Sequence, residues 1–286
     1  MDNMRDTRDT GLLVVSFGTS HSKTCRETIE AIEKHLAKAM PERRLYRGWT
    51  SRFIIKKLRE RDGTAIDTVE EALERMSREG IRDLLVVATH LLAGAEYEKM
   101  LDSIRSANGF DRIRVSRPLL DGDEDMGRLA SVIEGELMEQ APGSSLVLMG
   151  HGSKDRPEVN EVYLRLEKKF REAGHENVFV GTVEGEPSID DILPRLAAEK
   201  ERINGRGEQG SHPVILAPLM IVAGEHAVKD MAGDDPDSWQ RRIERELDND
   251  GTGDTVTPVI RGLGNYQGVQ EMFEDHAARA EQIDRI

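Results

Sequence analysis

"LLVVSFGTS" (residues 12–20) and "SLVLMGHGS" (residues 145–153) are two versions of one phrase. Each is a short run of Leu and Val ending in a glycine and a hydroxyl residue. Such runs read as strands buried on both faces, as in a parallel sheet. Placing Gly18 on Gly152 sets an offset of 134 residues, and a second pair of phrases repeats it closely. "HLLAGAEYEKM" and "LMIVAGEHAVKDM" place Gly94 on Gly224, an offset of 130. Nearly equal offsets at two separate places mark an internal duplication. Within it Glu96 falls on His226, Lys99 falls on Lys229, and His151 replaces Phe17. The frame repeats while its polar decoration changes.

Around these phrases short apolar runs alternate with amphipathic stretches. "RRLYRGW" (43–49), "DLLVVATH" (83–90) and "RIRVSRPLL" predict further strands of the first series. "HSKTCRETIEAIEKHLAKAM", "SRFIIKKLRER" and "TVEEALERMSREG" predict helices, the last stopped by Gly80. "NVFVGTVEG", "HPVILAPLMIV" and "DTVTPVIRGLG" predict strands of the second series, with helices at "VYLRLEKKFREAG", "SIDDILPRLAAEK" and "SWQRRIERELDNDG". "YQGVQEMFEDHAARAEQI" predicts a closing helix. The expected fold class is α/β: two similar halves, 1–142 and 143–286, each a mainly parallel sheet flanked by helices. The final helix is free to pack back on the first half.

The 286-residue chain is 37% hydrophobic and 33% charged, which suits a soluble surface over a sizeable core. Its formal charge of −14 disfavours nucleic acid and anionic membrane as partners. Cys25 is the single cysteine, so neither an internal disulfide nor a CxxC metal site can form. No apolar leader and no run of about 18 apolar residues is visible, and a cytoplasmic location is expected.

Ligands of parallel α/β sheets bind beyond the carboxyl ends of the strands. His151, His226 and Glu96 each follow a predicted strand, and they converge if the two halves face each other across a cleft. Two imidazoles and one carboxylate suit a divalent first-row metal and leave its shell open. The same groups take protons near neutral pH. Glu184 and Glu186 in "TVEGEPS" also follow a strand and either line a site or solvate a turn. His90 ends a strand and either borders the cleft or belongs to the core. His21, His35, His175, His212 and His276 read as surface residues. Arg52, Lys56 and Arg59 share one helix face, either as a solvated face or as a patch drawing an acidic ligand. "GRGEQG" (205–210) matches GxGxxG, but it follows a helix and precedes a strand, the wrong order for a dinucleotide loop. With no P-loop either, no nucleotide is expected.

"LLVVSFGTS", "TSRFIIKKLRERDG", "GAEYEKM", "MGHGS", "LAPLMIVAGEHAVKDMAGDD" and "DSWQRRI" together resemble the anaerobic-type sirohydrochlorin cobaltochelatases, class II chelatases of cobalamin biosynthesis. The likeness runs from about Gly11 to near the C-terminus. It implies two flavodoxin-like halves around a cleft for a tetrapyrrole. It implies insertion of Co²⁺ into sirohydrochlorin, with loss of two pyrrole protons and without ATP. By motif, His151, His226 and Glu96 fall on the family's metal-binding positions. His151 is then the first choice of proton acceptor with Glu96 assisting, and Arg52, Lys56 and Glu184 are candidate substrate contacts. Iron insertion giving sirohaem, with Fe²⁺, Ni²⁺ or Zn²⁺ as other metals, and a non-catalytic tetrapyrrole or metal carrier are the alternatives. The sequence leaves the oligomeric state open, a homo-oligomer included.

Overall fold

A computed structural model describes residues 9–205, 212–247 and 254–284. They form two compact units, one of Met1–Asp121 with Gln267–Ile286 and one of Gly122–Tyr266. The expected division at residue 142 therefore falls about a helix earlier. The reason is packing: α6 (Asp123–Ile133) lies against α7 (Glu161–Glu172) of the second unit. Its carboxylate Asp123 also pairs with Arg165 and Lys169.

In the first unit β1 (Thr10–Ser16), β2 (Arg44–Trp49), β3 (Asp83–Ala88) and β4 (Arg112–Val115) form a parallel sheet in the order β2-β1-β3-β4. A terminal strand, β9 (Glu281–Gln282), adds antiparallel to β4. Side chains alternate across a strand. Leu13 and Val15 of β1 face a core with Leu73 and Met76 of α4 (Val69–Arg78) and Met100 and Ile104 of α5 (Ala95–Arg105). On the other side α10 (Gln267–Ala278) packs on α2 (Ile29–Ala39), with a 2.7 Å His35–Glu274 contact. The helix expected over 21–40 is broken. Thr28 has φ −121° and ψ −77°, so α1 (Ser22–Glu27) ends there and α2 restarts. α3 (Arg52–Asp62) is capped by the Ser51 hydroxyl, which accepts from the amide of Ile54 at 3.4 Å.

The second unit repeats this plan. β5 (Ser145–Gly150), β6 (Val178–Thr182), β7 (Val214–Pro218) and β8 (Val256–Pro258) are parallel in the order β6-β5-β7-β8. Val147 and Met149 pack with Ile192 and Leu196 of α8 (Ile189–Asn204) and Trp239 and Ile243 of α9 (Trp239–Leu247). The duplication extends to single hydrogen bonds. Thr50 and Ser51 donate their amides to the carbonyls of Ser16 and Phe17; Val183 and Glu184 donate theirs to Gly150 and His151. Thr89 donates to Val15, and Leu219 donates to Met149, both at 2.8 Å.

Two histidines read as surface are buried. His212 is 3% exposed and meets the Ser145 hydroxyl at 2.9 Å; His276 is 6% exposed, its Nδ1 3.3 Å from the carbonyl of Arg117. Their charged sequence neighbours mislead because tertiary packing, not sequence proximity, decides burial. Most of "GRGEQG" lies outside the described residues.

Candidate metal centre

His151 is the first residue past β5, and the turn that carries it is dictated by Gly152. Gly152 has φ +75°, and a Cβ there would lie 2.6 Å from Cβ of Thr182 and 2.8 Å from the carbonyl oxygen of Glu184. Only glycine allows so close an approach of the turn to the end of β6. The buried Tyr163 hydroxyl accepts from the Gly152 amide at 3.3 Å. Asn160, also buried, accepts from the Ser153 amide at 2.9 Å and donates to the Ser153 carbonyl at 3.0 Å.

Glu184 follows β6 and is tied to the same turn by its amide, which donates to the carbonyl of His151 at 2.7 Å. His226 begins a single π-helical turn, Ala227–Met231, after β7. The imidazoles of His151 and His226 stand edge to face, with ring centroids 4.8 Å apart. One donor atom each from His151, Glu184 and His226 lies within 4.8 Å of the others, the one such cluster among the described residues. Two donors on opposite sides of a metal at about 2.1 Å each are about 4.2 Å apart, so donors this close together are of the spacing that one ion needs.

Both imidazoles are oriented through Nδ1. In His151 it lies 2.9 Å from the carbonyl of Gly152, and in His226 it lies 2.7 Å from a carboxylate oxygen of Asp230. A carbonyl or carboxylate oxygen can only accept here, so each Nδ1 carries the proton and each Nε2 presents its lone pair. This is how proteins prepare histidines as metal ligands.

The candidates in the first unit have other surroundings. Glu96 sits in the first turn of α5, at the repeat position of His226, and accepts from the Lys99 ammonium at 2.9 Å. Arg52 and Lys56 are exposed on α3, near Glu70 at 3.6 Å and Glu60 at 3.7 Å. Arg59 is exposed on the same helix, whose buried residues are Ile55 and Leu58. His90 is packed edge-on to Tyr97, with both ring nitrogens shielded and without a hydrogen-bond partner. Burial pushes its pKa down to about 4. The structure thus groups Glu184, expected as a substrate contact, with the two histidines. Asp230, Asn160 and Tyr163 escaped the sequence reading. Only Asp230 left a trace, four residues after His226 and so within reach on one helical face.

The chain is 36% identical over 270 residues to a sirohydrochlorin cobaltochelatase of Salmonella typhimurium, covering 94% of this chain and 95% of that protein. It is 30% identical over 274 residues to the sirohydrochlorin cobaltochelatase CbiKC of Nitratidesulfovibrio vulgaris, covering 94% and 90%. The fold is that of SirB from Bacillus subtilis, solved with Fe³⁺, at a TM-score of 0.62, 14% identity and 95% coverage of both chains. The cobalt chelatase (CbiK) family matches residues 10–282, which take in both sheets, the two glycine turns and the histidine pair, and the chain belongs to that family.

Proposed function

We propose that this protein is a sirohydrochlorin cobaltochelatase, inserting Co²⁺ into the metal-free macrocycle without a nucleotide. The observation that carries the reading is the donor set of His151, Glu184 and His226, with both Nε2 lone pairs turned free. Two imidazoles and a carboxylate hold a first-row divalent ion while leaving positions for water and incoming pyrrole nitrogens.

The exchange balances as Co²⁺ entering and two pyrrole protons leaving. As the ion passes to the macrocycle, Nε2 of His151 regains its lone pair and can take one proton. We assign the other to Glu96, the assisting acceptor that the family resemblance implies. The carboxylates of sirohydrochlorin suit Arg52 and Lys56, whose partners are only loosely held at 3.6 and 3.7 Å.

The deciding assay mixes purified protein anaerobically with sirohydrochlorin and Co²⁺, Fe²⁺, Ni²⁺ or Zn²⁺ in turn and follows the visible spectrum. Catalytic conversion fastest with Co²⁺ supports the reading. Faster turnover with Fe²⁺ makes the protein a ferrochelatase, and stoichiometric binding without turnover makes it a carrier.

A further inference from the structure

The matched hydrogen bonds of the two units assign every metal-site position a counterpart in the first unit. His151 corresponds to Phe17, Glu184 to Ser51 and His226 to Glu96. Phenylalanine cannot ligate a metal, and the Ser51 hydroxyl is engaged as the cap of α3. The first unit keeps the frame of the site but has replaced its ligands.

Phe17 is not a leftover filling space. It is 50% exposed at the carboxyl end of β1, where ligands of this sheet type bind. A mobile loop does not explain this exposure. Gly18 has φ +101°, and a Cβ on it would lie 2.5 Å from the indole of Trp49, itself 1% exposed. The amide of Ser51 holds the Phe17 carbonyl at 3.2 Å. The turn is locked, and it holds an aromatic ring out toward solvent. Ser51 also opens α3, whose first turn carries Phe53, 75% exposed, beside the exposed Arg52. Exposed rings interleaved with cations complement a flat apolar disc with an anionic rim.

We infer that Phe17 is a positioning residue that seats the apolar face of the carboxylated tetrapyrrole, with Phe53 and the cations of α3 flanking it. This rests on the chelatase reading above and adds to it the group that holds the macrocycle rather than the metal.

The test titrates metal-free sirohydrochlorin anaerobically into the full-length protein and reads macrocycle absorbance. In parallel, Co²⁺ binding without macrocycle is read from its visible d–d bands. Phe17→Ala should raise the Kd for sirohydrochlorin at least about tenfold, the size expected for losing one stacked ring. Its Co²⁺ affinity should stay within about twofold, since no ligand atom is touched. Phe17→Asp should bind more weakly still and recover partly with added salt, as charge repulsion is screened. Macrocycle binding within twofold of wild type in both variants would overturn the inference. So would a joint loss of Co²⁺ affinity and thermal stability, which would make Phe17 a fold residue. If the wild type binds sirohydrochlorin and inserts cobalt while Phe17→Ala binds equally well, this inference alone fails. If the wild type does not bind the macrocycle, the chelatase reading fails with it.

Discussion

Asp230 accepts a 2.7 Å hydrogen bond from Nδ1 of His226, from four residues further along the same short helical segment. The carboxylate orients the ring and fixes the tautomer that leaves Nε2 as a ligand. Asp230→Ala should weaken Co²⁺ binding about tenfold to a hundredfold. Asp230→Asn keeps an acceptor without the charge and should fall between that variant and wild type. A Co²⁺ titration followed by d–d absorption orders the three proteins, and equal affinities would mean that Asp230 merely solvates the turn.

His226→Ala and His151→Ala should each slow chelation at least about tenfold, equivalent to about 1.4 kcal/mol of lost transition-state stabilisation. Glu184→Gln should lower Co²⁺ affinity, whereas Glu96→Gln should lower kcat with Co²⁺ affinity retained. That contrast separates a ligand from a proton acceptor. His35→Ala, which removes a contact to Glu274 in the first unit, should leave the rate within about twofold.

Gly152→Ala and Gly94→Ala form a matched pair. At Gly152 the added methyl meets Thr182 and the carbonyl of Glu184 inside 3.0 Å, on a backbone with φ +75°. The substitution should cost roughly 2–4 kcal/mol and spoil the donor geometry. At Gly94, with φ −93°, no atom lies within 4 Å of the new Cβ. Thermal melts should show a clear drop for the first and little change for the second.

Charge reversal of Arg52 and Lys56 together should raise KM for sirohydrochlorin at low salt. Exposed charges are screened over about 8 Å at physiological ionic strength, so the difference from wild type should shrink as salt rises. A KM equal to wild type at every salt concentration would return this face to solvent.

His90 predicts a pH dependence of stability. Its pKa falls from 6.5 to about 4 because burial disfavours the charged ring. Between those values the unfolded chain binds a proton that the folded chain refuses. The contribution is therefore intact above pH 6.5 and is lost as pH falls toward 4, by up to about 3 kcal/mol. His90→Met, which places here the residue found at the repeat position Met220, should flatten that slope. Urea unfolding at pH 7.5 and pH 5 measures it, and parallel slopes in both proteins would assign the acid sensitivity to other groups.

Much of the fold was legible because its signals are local. Leu12 to Val15 and Leu146 to Met149 are fully buried runs, and a run buried on both faces has few readings besides a parallel strand. The repeated glycines were legible because a turn with positive φ tolerates little else, as Gly18 and Gly152 show. Less legible were features that depend on distant partners. The break at Thr28 lies inside a continuous helical pattern, and its hydroxyl bonds the Thr24 carbonyl at 2.7 Å. α6 joins the second unit because α7, which lies beyond the intervening β5, receives its carboxylate Asp123.

The candidate site divides in the same way. The sequence by itself determined the strand ends, the duplicated frame and the histidines placed on it, because strand periodicity and glycine turns are properties of short segments. Only the tertiary structure decided that Glu184 joins His151 and His226, that Asp230 and the Gly152 carbonyl set the two tautomers, and that Phe17 is held out to solvent. The grouping of Glu184 with His151 and the hold on Phe17 depend on hydrogen bonds between strand ends about 30 or more residues apart, which parallel pairing through crossover helices brings together, whereas the two tautomers rest on side-chain rotamers that a local sequence permits without dictating.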